Sequence, residues 1–284
     1  MFYSASNAKL KVNDEEILAS NASLSLSTSL QPNYLITQRN TNKYVASDGI
    51  GGKLSFNYYL TGVDFFKSFI TGQGERQKEN TVISGNFGGL NFDSGYLTSY
   101  SVNFGPNTPA SASATVTFFD ELRGDFTAVE ELAPDISTVL NFRNAVVSNV
   151  GQVFESGSVE NFVGGAYNYT AEVKPVYLIN ETKPSSVSFG PKNVNLNFEI
   201  DTPSGYLPYS GASAKISVDL KNKLGNVVEN FTCDGALQQR DIGSAVGDYI
   251  KQTINIVEGG TVASRVTNAA GGPLTVAVNM EPQP

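Results

Sequence analysis

The side chains that most often perform catalysis are scarce in this sequence. Its 284 residues include no histidine and one cysteine, Cys233. Without histidine, a Ser-His-Asp triad, a Cys-His dyad and any metal site with a histidine ligand are excluded. A single cysteine also excludes an intrachain disulfide and a cysteine-rich metal site. We expect Cys233 to be a buried free thiol, because free cysteines are among the most buried residues in proteins.

Carboxylates are the remaining candidates for acid–base chemistry. They occur as the adjacent pairs Glu15-Glu16, Asp120-Glu121 and Glu130-Glu131. Neighbours on an extended strand point to opposite faces, so pairs within strands cannot hold one substrate between them. Whether carboxylates far apart in the sequence meet depends on the fold. The acidic loop at Asp93 could offer ligands for calcium, but it lacks the ligand spacing of an EF-hand. We therefore predict a non-enzymatic protein with no catalytic residue, no metal site and no cofactor.

Two glycine-rich stretches could in principle bind phosphate groups. They are Gly49-Ile50-Gly51-Gly52 and Gly72-Gln73-Gly74. Neither is followed by the Gly-Lys-Ser/Thr of a P-loop, and neither opens a βαβ unit. We interpret both as turns or assembly loops.

The charge balance argues against a nucleic-acid-binding surface. The chain carries 19 basic and 27 acidic side chains, a formal charge of 19 − 27 = −8. Such a chain repels phosphate backbones, although a negatively charged wall lets DNA move past without sticking. Charged residues make up only 16% of the chain, against about 25% in typical proteins. The polar surface is therefore built mostly from Ser, Thr, Asn and Gly, as in a β protein with tight turns or a subunit covered by its own copies.

We find no membrane or export signal in the sequence. No stretch approaches the ~20 apolar residues of a membrane span. The first seven residues lack the basic and apolar regions of a signal peptide. We expect a protein that folds in a cytoplasm without processing and does not enter a membrane.

The elements that must position these side chains are mainly strands. Apolar and polar residues alternate with a period of two in many short runs, separated by Gly, Asn, Asp and Pro. The predicted strands cover residues 9–12, 16–18, 24–27, 34–36, 53–58, 82–87, 96–104 and 114–119. A tight turn at Asn13-Asp14 joins the first two. One short helix is predicted at 64–70, where Phe65, Phe66, Phe69 and Ile70 form an apolar stripe.

The second half of the chain weakly repeats the first. Residues 30–36 correspond to 173–179, residues 54–56 to 196–198, and residues 95–104 to 247–256. The offsets are 143, 142 and 152, so either a duplication with about ten inserted residues or chance resemblance among strands explains them. We predict a first β domain at 1–125, a connecting segment at 126–165 with strands near 139–142 and 152–154, and a second β domain at 166–284.

The order of these elements resembles the tail tube proteins of tailed phages, which are related to the tubes of type VI secretion systems and to baseplate hub rings. The resemblance covers most of the chain, with loose motifs. It is carried by the strand and turn at 7–13, the strands at 22–26 and 54–60, the polar loop through 48–52, the helix at 64–70 and the strands at 96–104 and 114–119. It implies two related β-sandwich or barrel domains of tail-tube type, with one short helix at least in the first.

The resemblance also implies a role and partners. In that family, strands of neighbouring subunits join into a barrel that lines a lumen, and a long loop reaches the next ring. Here that loop falls on 37–52, and less clearly on 180–192. The implied inter-ring contact residues are Thr37, Asn40, Lys43, Tyr44, Asp48, Gly49, Gly51 and Gly52.

The resulting expectation is a structural virion protein. We expect rings of this chain, favouring a trimer with pseudo-sixfold symmetry, which stack into a tail tube assembled in the host cytoplasm. The partners would be other copies, adjacent rings, other tail proteins and DNA that passes without specific binding. The alternatives are another virion component of this fold (baseplate hub, neck or decoration protein) and a receptor- or glycan-binding adhesin. In support of assembly, the candidate strands at 22–30, 53–60 and 96–104 contain one charge, Lys53, and no proline, although interior strands of a closed sandwich would look the same.

Overall fold

A computed structural model of the chain describes residues 9–28, 30–34, 43–46, 49, 51–71, 82–105, 108–126, 139–140, 145–148, 162–179, 181, 183–201, 213–222, 224–244, 246 and 250–258. Within them lie fifteen strands and one helix. In chain order these are β1 (Leu10–Val12), β2 (Glu15–Glu16), β3 (Ala19–Ser27), β4 (Leu30–Asn33), β5 (Lys43–Ala46), β6 (Gly51–Tyr59), α1 (Lys67–Thr71), β7 (Ile83–Phe87), β8 (Leu90–Phe104), β9 (Ser111–Phe118), β10 (Ala145–Ser148), β11 (Phe162–Val176), β12 (Ser186–Ile200), β13 (Ser213–Lys221), β14 (Val227–Gly243) and β15 (Lys251–Glu258).

The described part of the chain is one large antiparallel sheet with almost no helix, so the prediction of a mainly β protein is confirmed. Thirteen strands belong to this sheet. Their order is β10-β13-β14-β15-β12-β11-β8-β7-β1-β2, and a branch continues from β8 through β9 and β6 to β3. Strands β4 and β5 pair with each other as a separate two-stranded sheet.

The first hairpin shows how closely local sequence determines local structure. Strands β1 and β2 pair with Val12 opposite Glu15, so only Asn13 and Asp14 form the turn. Both have positive φ angles, 47° and 65°. A two-residue hairpin turn of type I′ requires left-handed backbone at both positions, and Asn and Asp tolerate it best after glycine. The predicted turn is confirmed.

The chain divides into two compact units whose segments interleave. The first unit comprises residues 1–101, 111–139 and 169–192, and the second comprises 102–110, 140–168 and 193–284. The residues of β8, β11 and β12 are therefore shared between the units. These borders differ from the predicted ones at residues 125 and 166. Two related tail-tube domains stay a prediction.

The core of the first unit follows from strict alternation in β6 and β9. Leu54, Phe56 and Tyr58 of β6 are buried, while the residues between them face outward. In β9, Val116 and Phe118 are buried, and the Phe118 ring stacks on Phe92 of β8 with 4.3 Å between ring centroids. Burying each such side chain stabilises the fold by about 1.5–3 kcal/mol. The apolar face of these strands therefore supplies much of this unit's stability.

The predicted helix is shorter than expected. Residues 64–66 form a turn and α1 begins at Lys67, but Phe66, Phe69 and Ile70 are buried as the apolar stripe requires. The turn is fixed by Asp64, which accepts a hydrogen bond from the Phe66 backbone N–H (2.9 Å). The oxygen of a short polar side chain just before a helix commonly accepts a hydrogen bond from a backbone N–H group in this way.

The same Asp64 carboxylate ties the turn to the sheet. The Tyr58 hydroxyl donates to its Oδ1 and Oδ2 (2.9 and 2.8 Å), and the Tyr100 hydroxyl donates to Oδ2 (2.5 Å). All three side chains are buried. This polar cluster links the turn before α1 to β6 and β8.

The second unit has its own apolar core. Leu196 and Phe198 of β12, Phe231 of β14 and Ile256 of β15 are all buried, and the Phe231 ring lies 5.3 Å from that of Tyr167. Cys233, also buried here, donates its thiol to the Ile256 carbonyl (3.5 Å). Burial raises the pKa of Cys233 to about 12. The predicted buried free thiol is confirmed.

Candidate assembly edges and polar sheet faces

Three strands end the sheet within the described residues: β2, β3 and β10. An edge strand has unpaired backbone N–H and C=O groups, and proteins usually protect such edges with charge, proline or brevity. Strand β2 is protected in this way, because it consists of Glu15 and Glu16, both exposed. Strand β2 therefore shows what a protected edge looks like in this protein, and the other two edge strands can be compared with it.

Strand β3 is long and carries no charge. Its nine residues, Ala19–Ser27, are Ala, Ser, Asn and Leu only, and none is proline. One side of the strand pairs with β6 from Ala19 opposite Tyr58 to Ser27 opposite Gly51. The described residues provide no strand for the other side. None of the usual protections of an edge is present here.

The core-facing side chains of β3 are also incompletely covered. Leu24 and Leu26 lie opposite Leu54 and Gly52 of β6, both of which are buried. Leu24 is only half-buried, and Leu26 is 47% exposed. The apolar face of the sheet therefore continues past β6 onto a strand whose other edge has no partner among the described residues.

Strand β10 is the third edge and lies in the second unit. It pairs with β13 from Ala145 opposite Leu220 to Ser148 opposite Ser217. Its four residues, Ala-Val-Val-Ser, carry no charge, and Val146 is exposed. It is uncharged like β3 but less than half as long.

The outward side of β3, β6, β9 and β8 in the first unit forms a polar surface, which we call the hydroxyl face. Its residues are Ser23, Ser25, Lys53, Ser55, Asn57, Thr98, Ser101, Ser113, Thr115 and Thr117. Neighbouring hydroxyls pair across strands: Ser55 with Thr115 (3.1 Å), Thr98 with Thr117 (3.0 Å) and Ser101 with Ser113 (2.8 Å). Lys53 is the one charge of this set, so the face carries little charge.

The second unit has a polar face of different composition. Amide side chains bond across its strands, with the Asn168 Nδ2 donating to the Asn195 Oδ1 (2.9 Å) and the Asn255 Nδ2 to the Gln238 Oε1 (2.8 Å). Its charged side chains include two ion pairs, Lys215 with Asp234 and Lys251 with Glu199, and a further carboxylate, Asp219. Carboxylates and lysines largely compensate each other on this face.

The separate hairpin of β4 and β5 has one apolar side. Pro32 lies opposite Tyr44, so these two residues share a face with Leu30 and Tyr34. Leu30 is 57% exposed, and Tyr34 and Tyr44 are each 62% exposed. An isolated two-stranded hairpin is at best marginally stable in water, so an uncovered apolar side favours a contact with another surface.

The structure corrects the predicted loop at 37–52 in part. Lys43 and Tyr44 lie on β5, and Gly51 and Gly52 lie on β6, so four of the eight predicted contact residues are strand residues. Thr37, Asn40 and Asp48 fall outside the described residues. The predicted inter-ring role of this segment stays a prediction.

The glycines of this segment have structural reasons. A Cβ atom at Gly52 would overlap the Phe118 ring, and one at Gly49 would overlap the Tyr177 ring. A Cβ at Gly51 would be 3.6 Å from the nearest atom, an ordinary contact. Close packing explains Gly49 and Gly52, and our interpretation of 49–52 as a turn or loop was wrong for the two residues on β6.

The second predicted loop, 180–192, is also partly strand, because residues 186–192 belong to β12. An ion pair fixes the turn before it. The Lys183 Nζ lies 2.6 Å from the Oδ1 of Asp120 and Arg123 lies 3.2 Å from Oδ2, while the Asp120 side chain is only 9% exposed. Burial raises the pKa of Asp120, but hydrogen bonds from Lys183 and the Glu121 N–H and the charges of Lys183 and Arg123 outweigh it, so this pKa lies below its ordinary value.

Comparison with known proteins does not assign a family. No protein-family model matches this chain, and no curated protein sequence matches it. In the described residues, no group of three or more Cys, Asp or Glu side chains is arranged to hold a metal ion. The described helix is also too short to cross a bilayer.

Sequence reasoning found the uncharged strand at 22–30 but not its position at the edge of the sheet. Strand β10 was missed, because Ala145–Ser148 is a four-residue run inside a segment interpreted as a connection. The apolar face of the β4–β5 hairpin was missed too, since only the pairing register brings Pro32 and Tyr44 together. The available signal was the alternation of Leu30, Pro32 and Tyr34.

Proposed function

We propose that this chain is a structural subunit of a phage-type particle, whose copies form rings that stack into the tail tube. The uncharged free edge of β3 carries the proposal. The favoured ring is a trimer with pseudo-sixfold symmetry, because three copies of a chain with two related domains would place six domains around one axis. The ring would be a conduit for DNA and would not bind it specifically.

The contrast between edges supports assembly over a solitary protein. The two-residue edge β2 carries two exposed glutamates, whereas the nine-residue edge β3 carries no charge. A solitary protein with such a strand would risk uncontrolled pairing. A subunit that pairs in a defined way through β3 would need the strand uncharged.

The outward side of the same strands is polar, which supports the proposal that this side stays in contact with water in the assembly. Its hydroxyls pair with one another across strands, so this side of the described strands is mainly polar, with Tyr59 exposed at the end of β6. We propose that the hydroxyl face lines the lumen of the tube. The hydroxyl face carries almost no charge, and the whole chain has a net charge of −8. Both properties fit a wall past which a polyanion such as DNA slides without binding. We further expect carboxylates to outnumber basic groups over the whole lumen. The hydroxyl face contributes Lys53 and no carboxylate, so this excess must come from other residues of the lumen, and a channel lined mainly by Lys and Arg would contradict the expectation.

The experiment is negative-stain electron microscopy and light scattering of the purified protein at high concentration. We expect rings or tubes, with a trimer of about three times 30.3 kDa as the smallest stable species. Ser25→Lys places a charge on the free edge, and the matched control Asn57→Lys places one on the same face of an interior strand. We expect the edge variant to need about tenfold more protein to assemble, equivalent to about 1.4 kcal/mol.

The outcome separates the remaining classes. A protein that stays monomeric under all conditions would refute the tube and favour the adhesin, for which a glycan array is the direct assay. Rings that do not stack would favour a hub or neck position. Assembly of Ser25→Lys and Asn57→Lys at the same concentration as the parent would show that β3 is not the interface.

A further inference from the structure

The proposed ring needs two different edges on each copy, one that offers a strand and one that accepts it. A ring forms from head-to-tail contacts, in which two different surfaces meet, whereas two identical surfaces meet in a twofold dimer. In the described part of the sheet, the strand order runs without a break from β10 at one end to β3 at the other. The two ends of this order are different strands, as a head-to-tail contact requires.

We propose that β10 of one copy pairs with the free edge of β3 of the next copy, antiparallel like the rest of the sheet. The inference rests on the proposed ring and names the strand that closes it. Addition of an extended strand to an exposed sheet edge is a common mode of recognition, in which the backbone supplies affinity and alternate side chains supply specificity.

The distribution of charge selects the same two edges. Strand β3 carries neither charge nor proline, and neither does β10. The third edge of the described sheet, β2, consists of two exposed glutamates. Charge on an edge strand opposes pairing with another chain. The two edges that the proposed contact joins are thus the two that lack this protection.

The core sides of the two strands are complementary. Strand β3 presents the half-buried Leu24 and the 47% exposed Leu26. On β10, Ala145 and Val147 lie opposite buried residues of β13, and Val147 is itself buried. An antiparallel register with Val147 opposite Leu24 also places Ala145 opposite Leu26, because partner numbers run in opposite directions. Apolar side chains then meet in both pairs, which is the contact that stabilises neighbouring strands.

The outward sides are compatible in this register. Ser25 would lie opposite Val146, which is 39% exposed and would be partly covered by the added strand. The next strands inward carry Lys53 opposite Ser25 and Asp219 opposite Val146, so the flanking charges have opposite signs. A slip of one residue would turn the leucines of β3 away from the apolar side of β10.

The first test places charges on both strands. The double variant Ser25→Lys/Val146→Glu puts opposite charges at the contact, and Ser25→Lys/Val146→Lys puts like charges there. We expect rings of the first at about one-tenth of the protein concentration that the second needs, because directly opposed residues interact across strands. The matched controls Asn57→Lys/Val146→Glu and Asn57→Lys/Val146→Lys have the first charge on an interior strand and should show no comparable difference. Equal concentrations for the two Ser25 variants would overturn the inference and leave the ring intact.

The second test is cysteine cross-linking, which keeps its meaning even if a charged variant fails to fold. A Ser25→Cys protein is mixed with a Val146→Cys protein, and Ser23→Cys and Ser27→Cys proteins cover the adjacent registers. The native Cys233 is buried and its pKa is raised to about 12, so it does not compete under mild oxidation. We expect a covalent dimer on a non-reducing gel from the Ser25→Cys mixture, and a ladder that ends at the trimer from the double variant Ser25→Cys/Val146→Cys.

Three results of the cross-linking would overturn the inference. A dimer from the Ser25→Cys protein alone would show that two β3 strands pair with each other. A disulfide within single chains of the Ser25→Cys/Val146→Cys variant would show that both strands belong to the same copy. No link in any of the three mixtures, from a parent that forms rings, would show that another strand covers β3.

The failure of the proposed function gives different results. A parent that stays monomeric at every concentration would refute the ring and the contact together. A ladder that continues past the trimer would support the contact between β10 and β3, but it would refute the trimeric ring, because head-to-tail contacts that do not close form filaments.

Discussion

Replacing Asp64 by alanine should reveal how much the buried polar cluster contributes to the first unit. The carboxylate accepts hydrogen bonds from three donors: the Tyr58 hydroxyl, the Tyr100 hydroxyl and the Phe66 N–H. A hydrogen bond to a charged group contributes about 1.5–3 kcal/mol, and a buried donor left without a partner costs about 1–3 kcal/mol. If none of the three donors found a new partner, the loss of these hydrogen bonds would lower the free energy of unfolding by at least about 4 kcal/mol.

A cavity of about 130 Å³ lowers this figure. It is lined by Glu15, Tyr58, Asp64 and Val63 among others, so water that enters it could satisfy some of the abandoned donors. We therefore expect Asp64→Ala to lower the free energy of unfolding by about 3 kcal/mol. At about 2–4 °C per kcal/mol for a chain of this size, the Tm should fall by about 6–12 °C.

Two milder variants separate hydrogen bonding from shape. Tyr100→Phe removes one donor and should cost about 1–1.5 kcal/mol, and Asp64→Asn keeps the volume and one acceptor and should cost less than Asp64→Ala. The assays are thermal melting by circular dichroism and urea unfolding at pH 7. A Tm for Asp64→Ala within about 2 °C of the parent would refute the view that this carboxylate holds α1 on the sheet.

Three other outcomes are expected. Gly52→Ala should destabilise the protein by about 1–3 kcal/mol in urea unfolding, because its Cβ would overlap a buried ring, whereas Gly51→Ala should be tolerated; equal effects would contradict the packing argument. Lys183→Ala should cost about 1 kcal/mol at pH 7. Because the pKa of Asp120 in the folded protein lies below its ordinary value, this stabilisation is complete above the ordinary value and is lost as the pH falls through the lowered one, so the difference from the parent should shrink steadily below about pH 4; a difference independent of pH there would contradict it. Tyr44→Ser should leave folding unchanged but weaken ring stacking in electron micrographs, and normal tubes would show that the hairpin face is not an inter-ring contact.

Local patterns were enough to predict most strands of the first unit. The Asn13-Asp14 turn and the alternation of β6 and β9 depend on residues within a few positions of each other, and both are confirmed. The helix was overextended at its start because Asp64 diverts the first turn, and nothing within the predicted stripe indicates that diversion.

Features that depend on residues far apart in sequence could not be predicted. Tyr100 is 36 residues from the carboxylate it binds, and Gly52 is small because a ring from Phe118 lies over it. Edge positions are equally non-local, since the composition of β3 is the same whether a neighbour covers it or not. Residues 139 and 140 of the strand predicted at 139–142 are not in a strand, while its other two residues and the strand predicted at 152–154 lie outside the described residues.

The hydroxyl pairs of the first unit have a consequence for anything that moves over them. In the pair of Ser55 with Thr115, either oxygen can be the donor, and a rotation about one C–O bond reverses the direction of the hydrogen bond. In the pair of Thr98 with Thr117 the direction is set, because the Thr98 hydroxyl donates to the Thr115 carbonyl and so accepts from Thr117. If this surface lines a lumen as proposed, its reversible hydroxyl pairs would adapt to a passing polymer and present few fixed partial charges. Its energy profile along the direction of travel would be nearly flat. Friction would then be set by the viscosity of the intervening water, and the rate of passage would be insensitive to the sequence being carried.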